Sequence, residues 1–437
     1  MNFLASYNRT VFISLSCFLC VLKQSSTNMT IDENLARKQH KEKIENEIAK
    51  FYKTLEEHYN DEEIKLKRTE NYDIFCNRED GILSIVPAMW LIDTCDAEFY
   101  YHQVKFLKER GKDYGGLLRE YFTKANIEYF TADNNLLYSP GGDNSRFIPT
   151  KMPKNISIRE KNERRLKFQA LGTILGLLIQ HRATSNFFFA PLIFKILLEE
   201  EITMIDLKKV DPKYFNDLLR SQSDEDTRNS CDMRFETDER EDLIPNGQNI
   251  KVDETNIEDY VFRYLRYKYV TSIENECNWI KKKLYKVIPR KILKTLSASA
   301  LEEMIVGEIK IDIEDWKANT EYRGEYNEKS EQIIWFWKFM GELNEKQKSE
   351  ILYAVTGSYR PPIGGFAKLT NKNKIIRFSI RSPENFDLEA GLNSTKLPWA
   401  STCFNVLILP KYPTEEILKK MMTIIVEHGG SFDYVVD

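Results

Sequence analysis

Histidine is scarce in this chain and cysteine is unorganised. Of 437 residues only five are histidine, at positions 40, 58, 102, 181 and 428, and none adjoins Cys403. A cysteine–histidine nucleophile is therefore not written into any local stretch, although a distant histidine could still meet a thiol in the fold. The seven cysteines are odd in number and scattered, which argues against a disulfide framework and for reduced thiols. The one Cys-x-x-Cys, Cys17 to Cys20, lies in an apolar run without a second Cys or His pair, so no metal centre or cofactor is expected. Charge of one sign is also missing: 63 Lys+Arg stand against 67 Asp+Glu, which excludes the broad basic field that draws nucleic acid. There is no G-x-S-x-G elbow, HExxH pair, phosphate-binding loop or dinucleotide glycine pattern.

Long hydrophobic runs are lacking too. The amino-terminal run from Val11 to Leu22 holds 12 residues, short of the roughly 20 that span a bilayer, so no stable membrane span is expected. With Arg9 before it and small polar residues after it, residues 1–28 have the outline of a secretory signal peptide. An upstream extension with translation starting at Met29, or a short packed element, would read the same way. Residues 29–51 are a charged stretch with weak helical periodicity.

What is present is a long, mainly helical pattern from Tyr52 to Leu198. Leu166 to Gln180 is apolar nearly all round, as a central core helix is. Residues 221–242 turn polar and acidic, and Pro245, Asn246 and Gly247 then mark a turn between two expected short strands. In the next helix Tyr260, Tyr264 and Tyr267 share a face, either as a core stripe or as an aromatic docking surface. Short strand-like pieces are expected around Gly307, a candidate hinge. The last third reads as a small mixed α/β unit, closed by a helix that Thr414 caps, that Glu415 and Glu416 support through the dipole, and that Gly429 ends. His428 is expected to stabilise the end of that helix.

Cys403 stands in LPWASTCFNVLILPKY, at the junction of polar Ser401–Thr402 with FNVLILP, an expected buried strand. A loop-to-strand boundary displays reactive groups, but a thiol is mostly protonated at neutral pH. Without an adjoining base, Cys403 needs a partner that is already activated.

This segment closely resembles the active-site segment of HECT-type E3 ubiquitin ligases. GKDYGGLLREYF, LGTILGLLI, VDPKYFNDLL, LIPNGQNIKV, DWKANTEYRGEY, IIWFWKF and TGSYRPPIGGFAKL resemble further family segments in the same order. The resemblance covers about Tyr52 to the carboxyl terminus. It implies an α+β, bilobal fold: a mainly helical N-lobe at 52–306 with a small E2-binding subdomain at about 205–275, a hinge of Gly307, Glu308, Ile309 and Lys310, and a C-lobe at 311–437. It further implies that Cys403 takes ubiquitin from a charged E2 enzyme as a thioester and yields it to a lysine of a substrate protein. Transthiolation starts from an activated thioester, which answers the missing base. Thr402 and Asn405 would orient the loop or donate to the thioester, and Tyr260, Tyr264, Leu218 and Leu219 would meet the E2. Arg119 and Glu120 would be a buried structural pair. Near the carboxyl terminus Phe432 or Tyr434 would help lobe docking, and Asp433 or Asp437 would help deprotonate the lysine. Where the family often has His two places before the cysteine, this chain has Ser401. Such partners place the protein in the cytosol or nucleus. The competing readings are a cysteine protease or hydrolase and an inactive module that binds E2 or ubiquitin.

Overall fold

A computed structural model of the chain describes residues 31–67, 71–76, 101–106, 116–130, 135–142, 146–223, 233–371, 374–384 and 397–428. The chain divides into two compact units, 1–47 and 48–437. The described part of the first is helix, the start of α1 (Ile31–Asn60). All other described elements belong to the second. No described helix is long and apolar enough to cross a membrane.

The organising element is α3 (Ile158–Gln180), which comes after α2 (Gly116–Phe130) in the chain. Its start is fixed by a capping box, in which the Ser157 hydroxyl accepts from the Glu160 amide and the Glu160 carboxylate accepts from the Ser157 amide. From Ala170 to Gln180 every residue is buried, as its all-round apolar sequence predicts. α3 packs on α5 (Glu274–Val287), and two glycines permit the approach. A Cβ at Gly172 would lie 2.2 Å from the Ile280 carbonyl oxygen, and one at Gly176 would lie 2.5 Å from Val287 Cβ. The Arg164 guanidinium donates to Glu276 at 2.8 Å with both side chains buried, and to the Thr150 carbonyl at 2.5 Å. Removing one partner of such a buried pair costs about 3–5 kcal/mol, because the other charge is left without compensation.

Beyond residue 310 a four-stranded sheet carries the cysteine. Its strands are β1 (Glu321–Arg323), β2 (Ser379–Arg381), β3 (Trp399–Ser401) and β4 (Val406–Ile408), in the order β1-β2-β4-β3. β1, β2 and β4 are parallel, and β3 runs antiparallel to β4. The helices α6 (Glu331–Glu342), α7 (Glu345–Thr356) and α8 (Glu415–Glu427) share one apolar core with the sheet. Its centre is Trp316, fully buried, stacked on Phe366 at 4.6 Å and edge-on to Phe378 at 5.2 Å. Thr414 caps α8 by accepting from the Ile417 amide, and the His428 ring bonds the Ile424 carbonyl, both as expected. Gly429 lies outside the described residues.

Two expectations need correction. No strands flank Gly307: Ala298–Val306 is helical, and Asp312 caps a second helix, Ile313–Ala318, by accepting from the Glu314 and Asp315 amides. Around Asn246, which is left-handed at φ 63°, the expected turn is present. Its two strands reduce to isolated bridges, Arg234 with Lys251 and Glu236 with Asp242.

Candidate active site

The pairing of Ser401 with Val406 closes a tight hairpin between β3 and β4. Its loop is Thr402–Asn405, of which Thr402–Phe404 form a 3-10 turn. Such a loop needs a residue in the left-handed region to re-enter the strand, and Asn tolerates that conformation better than most residues. Asn405 takes it, at φ 53°. This also corrects the expected strand over FNVLILP: extended pairing begins only at Val406, and Phe404 is 51% exposed on the turn. Cys403 sits at the middle of the turn and is half-buried.

The turn is anchored from beneath. Asn405 is fully buried, and its Nδ2 donates to the Ile376 carbonyl at 2.7 Å. Its Oδ1 accepts from Arg119 Nη1 at 3.1 Å. The same guanidinium donates through Nη2 to the Thr402 carbonyl at 2.5 Å and through Nη1 to the Thr370 carbonyl at 3.3 Å. Both ends of the Asn405 side chain therefore hold the turn, and of the two roles expected for this residue, orienting the loop is the one its geometry serves. Arg119, expected as a buried structural residue paired with Glu120, is only 8% exposed, and its guanidinium brackets the cysteine through the residues on either side. A charged residue among Leu118, Tyr121, Phe122 and Ala125, all buried on the same helix, was the available signal.

Cys277 shows what an inert thiol looks like in the same chain. It is 1% exposed within α5, and burial, with a smaller contribution from Glu276, pushes its pKa up to about 12.

The remaining candidates are dispersed. Tyr260 and Tyr264, on α4 (Ile257–Tyr269), are buried, with rings 5.8 Å apart and Phe235 edge-on to Tyr260. Burial, followed by hydrogen bonds with Asp238 and Tyr214, holds the Tyr264 phenol well above its usual pKa. Nearby, on the helix Pro212–Ser223, Leu218 is half-buried and Leu219 is 38% exposed. Gly307 has φ 75°, and a Cβ there would lie 2.4 Å from the Pro361 carbonyl oxygen. The Glu308 amide donates to that oxygen at 2.9 Å and the Glu308 carboxylate accepts from the Gly364 amide at 3.1 Å, while Ile309 and Lys310 are exposed. Phe432, Asp433, Tyr434 and Asp437 lie outside the described residues.

Comparison with known proteins gives a consistent picture. Residues 117–435 match the family model described as HECT-domain (ubiquitin-transferase). The chain is 32% identical over 336 residues to E3 ubiquitin-protein ligase pub1 of Schizosaccharomyces pombe, an alignment of 75% of this chain and 42% of that protein. It is 31% identical to E3 ubiquitin-protein ligase RSP5 of Saccharomyces cerevisiae, over 75% of this chain and 40% of that protein. To human E3 ubiquitin-protein ligase NEDD4 it is 29% identical, over 76% of this chain and 25% of that protein. The matched part of the chain thus spans between 25% and 42% of the length of these relatives.

Proposed function

Since the chain belongs to the HECT-domain (ubiquitin-transferase) family, we propose that it is an E3 ubiquitin transferase that carries ubiquitin on Cys403. The observation that supports this most is the presentation of the thiol. Cys403 stands half-exposed at the tip of a hairpin whose base is held by buried Asn405 and Arg119, whereas Cys277 is sealed in a helix. The Cys403 thiolate attacks the carbonyl carbon of the E2-bound glycyl thioester and the E2 thiolate leaves. A substrate lysine amine then attacks the new thioester, the Cys403 thiolate leaves, and the amine gives up its proton, for which Asp433 and Asp437 are the proposed acceptors. The first step exchanges one thioester for another, so thiolate fraction, leaving-thiol pKa and access govern its rate. Fixed geometry supplies the rest.

In this reading residues 52–306 are the N-lobe, Gly307–Lys310 the hinge and 311–437 the C-lobe, with Phe432 or Tyr434 helping the lobes dock. The charged E2 docks on the subdomain at about 205–275, where Leu219 is exposed, Leu218 half-buried, and Tyr260 and Tyr264 are buried on α4. Thr402 contributes its carbonyl to the anchoring of the turn. Charged E2 and ubiquitin belong to the cytosol and nucleus, which is the location proposed.

The test is incubation with E1, a panel of E2 enzymes, ATP and ubiquitin, followed by a non-reducing gel. The expected result is a thiol-sensitive ubiquitin adduct that Cys403→Ala abolishes. Folded protein that forms no adduct with any E2 would sink the proposal, and a ubiquitin-cleaving activity dependent on Cys403 would favour a hydrolase.

A further inference from the structure

Arg119, Thr123 and Asn126 stand at i, i+4 and i+7 on α2, one stripe of a helix surface. Two rungs of this stripe bond residues 357–405, and the third faces a cavity that Tyr359 and Arg360 help line. Arg119 holds the Thr370 and Thr402 carbonyls and the Asn405 side chain. Thr123 Oγ1 donates to the Gly357 carbonyl at 3.3 Å, just past the end of α7. Asn126 lines a cavity of about 10 Å³ together with Ser185, Asn186, Tyr359 and Arg360. Into this junction come two donors, Asn126 Nδ2 and Arg360 Nη1, one acceptor, Asn186 Oδ1, and the Ser185 hydroxyl, all buried atoms without a protein partner. That is the set one bridging water satisfies, in a space of about one water.

We propose that this stripe is a docking rail that seats the cysteine turn on α2, and that Arg119 is the positioning residue for Cys403 during transfer out of the thioester. The proposal rests on Cys403 being the ubiquitin carrier. One planar guanidinium reaches three acceptors, two of them on either side of Cys403, so it fixes both the position and the tilt of the turn. A lysine ammonium is a single point on a flexible stem and cannot span the same set. Displacing a reacting group by about 1 Å costs on the order of 100-fold in rate, so the loss of this seat is expected mainly in discharge of the thioester. Thr123 and Asn126 stand further along the rail from the thiol and have smaller effects.

The experiment charges the intact protein with ubiquitin, quenches E1 with a chelator and chases the thioester with free lysine. Arg119→Ala is expected to discharge roughly 10- to 100-fold more slowly, Arg119→Lys to give no rescue, and added guanidinium to restore part of the rate to Arg119→Ala. Thr123→Val and Asn126→Ala are expected to slow discharge by less. In parallel, amide hydrogen exchange of uncharged Arg119→Ala is expected to rise at residues 402–405 and to stay at the wild-type level in α3 and α5. Unchanged discharge in Arg119→Ala, or exchange rising equally throughout the chain, would overturn the proposal. If the wild-type protein forms no thioester, the ubiquitin-carrier reading fails instead, and the exchange measurement still decides whether Arg119 seats the turn.

Discussion

Two buried arginines tie this molecule together in opposite ways. In the helical body Arg164 meets a carboxylate, fully buried Glu276, while its Nη2 donates to Thr150 and its Nη1 to the Asn135 carbonyl. At the cysteine turn Arg119 meets carbonyl oxygens, those of Thr370, Thr402 and the Asn405 amide. The first bond joins α3 to α5, which already touch through Gly172 and Gly176 with no room for a side chain. The second joins α2 to residues 251 to 286 positions away in sequence. Separating Arg164 from Glu276 would leave two opposite charges buried, whereas separating Arg119 from the turn leaves neutral acceptors that water can satisfy. Charge neutralisation thus marks the helical body, and carbonyl capping without a carboxylate marks the turn that carries Cys403.

The sharpest way to break this comparison is at its strong end. Glu276→Ala, which leaves Arg164 buried and uncompensated, is expected to destabilise the chain by about 3–5 kcal/mol. A denaturant series read by circular dichroism checks this, and a loss below about 1 kcal/mol would mean that water already reaches the pair. At the turn, Asn405→Ala removes two side-chain hydrogen bonds and strains a left-handed backbone, for an expected loss of about 1–3 kcal/mol. Asn405→Gly keeps the conformation and loses only the bonds. Hydrogen exchange at 402–405 should therefore rise more in Asn405→Ala than in Asn405→Gly, and equal rises would show that backbone strain contributes nothing.

The same contrast explains what could be read from the sequence. Local rules served well where the partner is near in the chain: the cap at Thr414, the turn at Asn246, and the core helix whose apolar residues run all round. They failed where a short signal pointed two ways. IKIDI alternates like a strand, but Asp312 accepts from the Glu314 and Asp315 amides and turns the residues after it into helix. FNVLIL is apolar enough for a strand, yet Asn405 in the left-handed region delays it and leaves Phe404 in solvent. The turn that displays Cys403 is set by residues close in the chain, because the hairpin and its left-handed Asn405 are local. The partners of Arg119 were not legible, since nothing in GGLLREYF says which distant carbonyls its guanidinium will meet.

An exposed counterpart sets the weak end of the comparison. Lys151 and Lys154 converge on Glu239 at 2.6 and 2.7 Å, and Lys154 also reaches Glu241 at 2.9 Å. Here charge meets charge as at Arg164, but in water, where such pairs add little to stability. The hydrogen bonds from Lys151 and Lys154 depress the Glu239 carboxyl to about 2. A carboxyl depressed in the folded state contributes what stability it has above its unfolded pKa, near about 4.3, and loses it as pH falls through the folded value. An NMR titration of Glu239 is therefore expected to show a midpoint of about 2, while global stability changes little over the same window on its account. In Lys151→Met/Lys154→Met that midpoint should move back toward the ordinary glutamate range without a matching fall in the unfolding midpoint. A large fall would mean that exposed pairing anchors this region as burial anchors Arg164, and the division between helical body and cysteine turn would then rest on charge alone and not on burial.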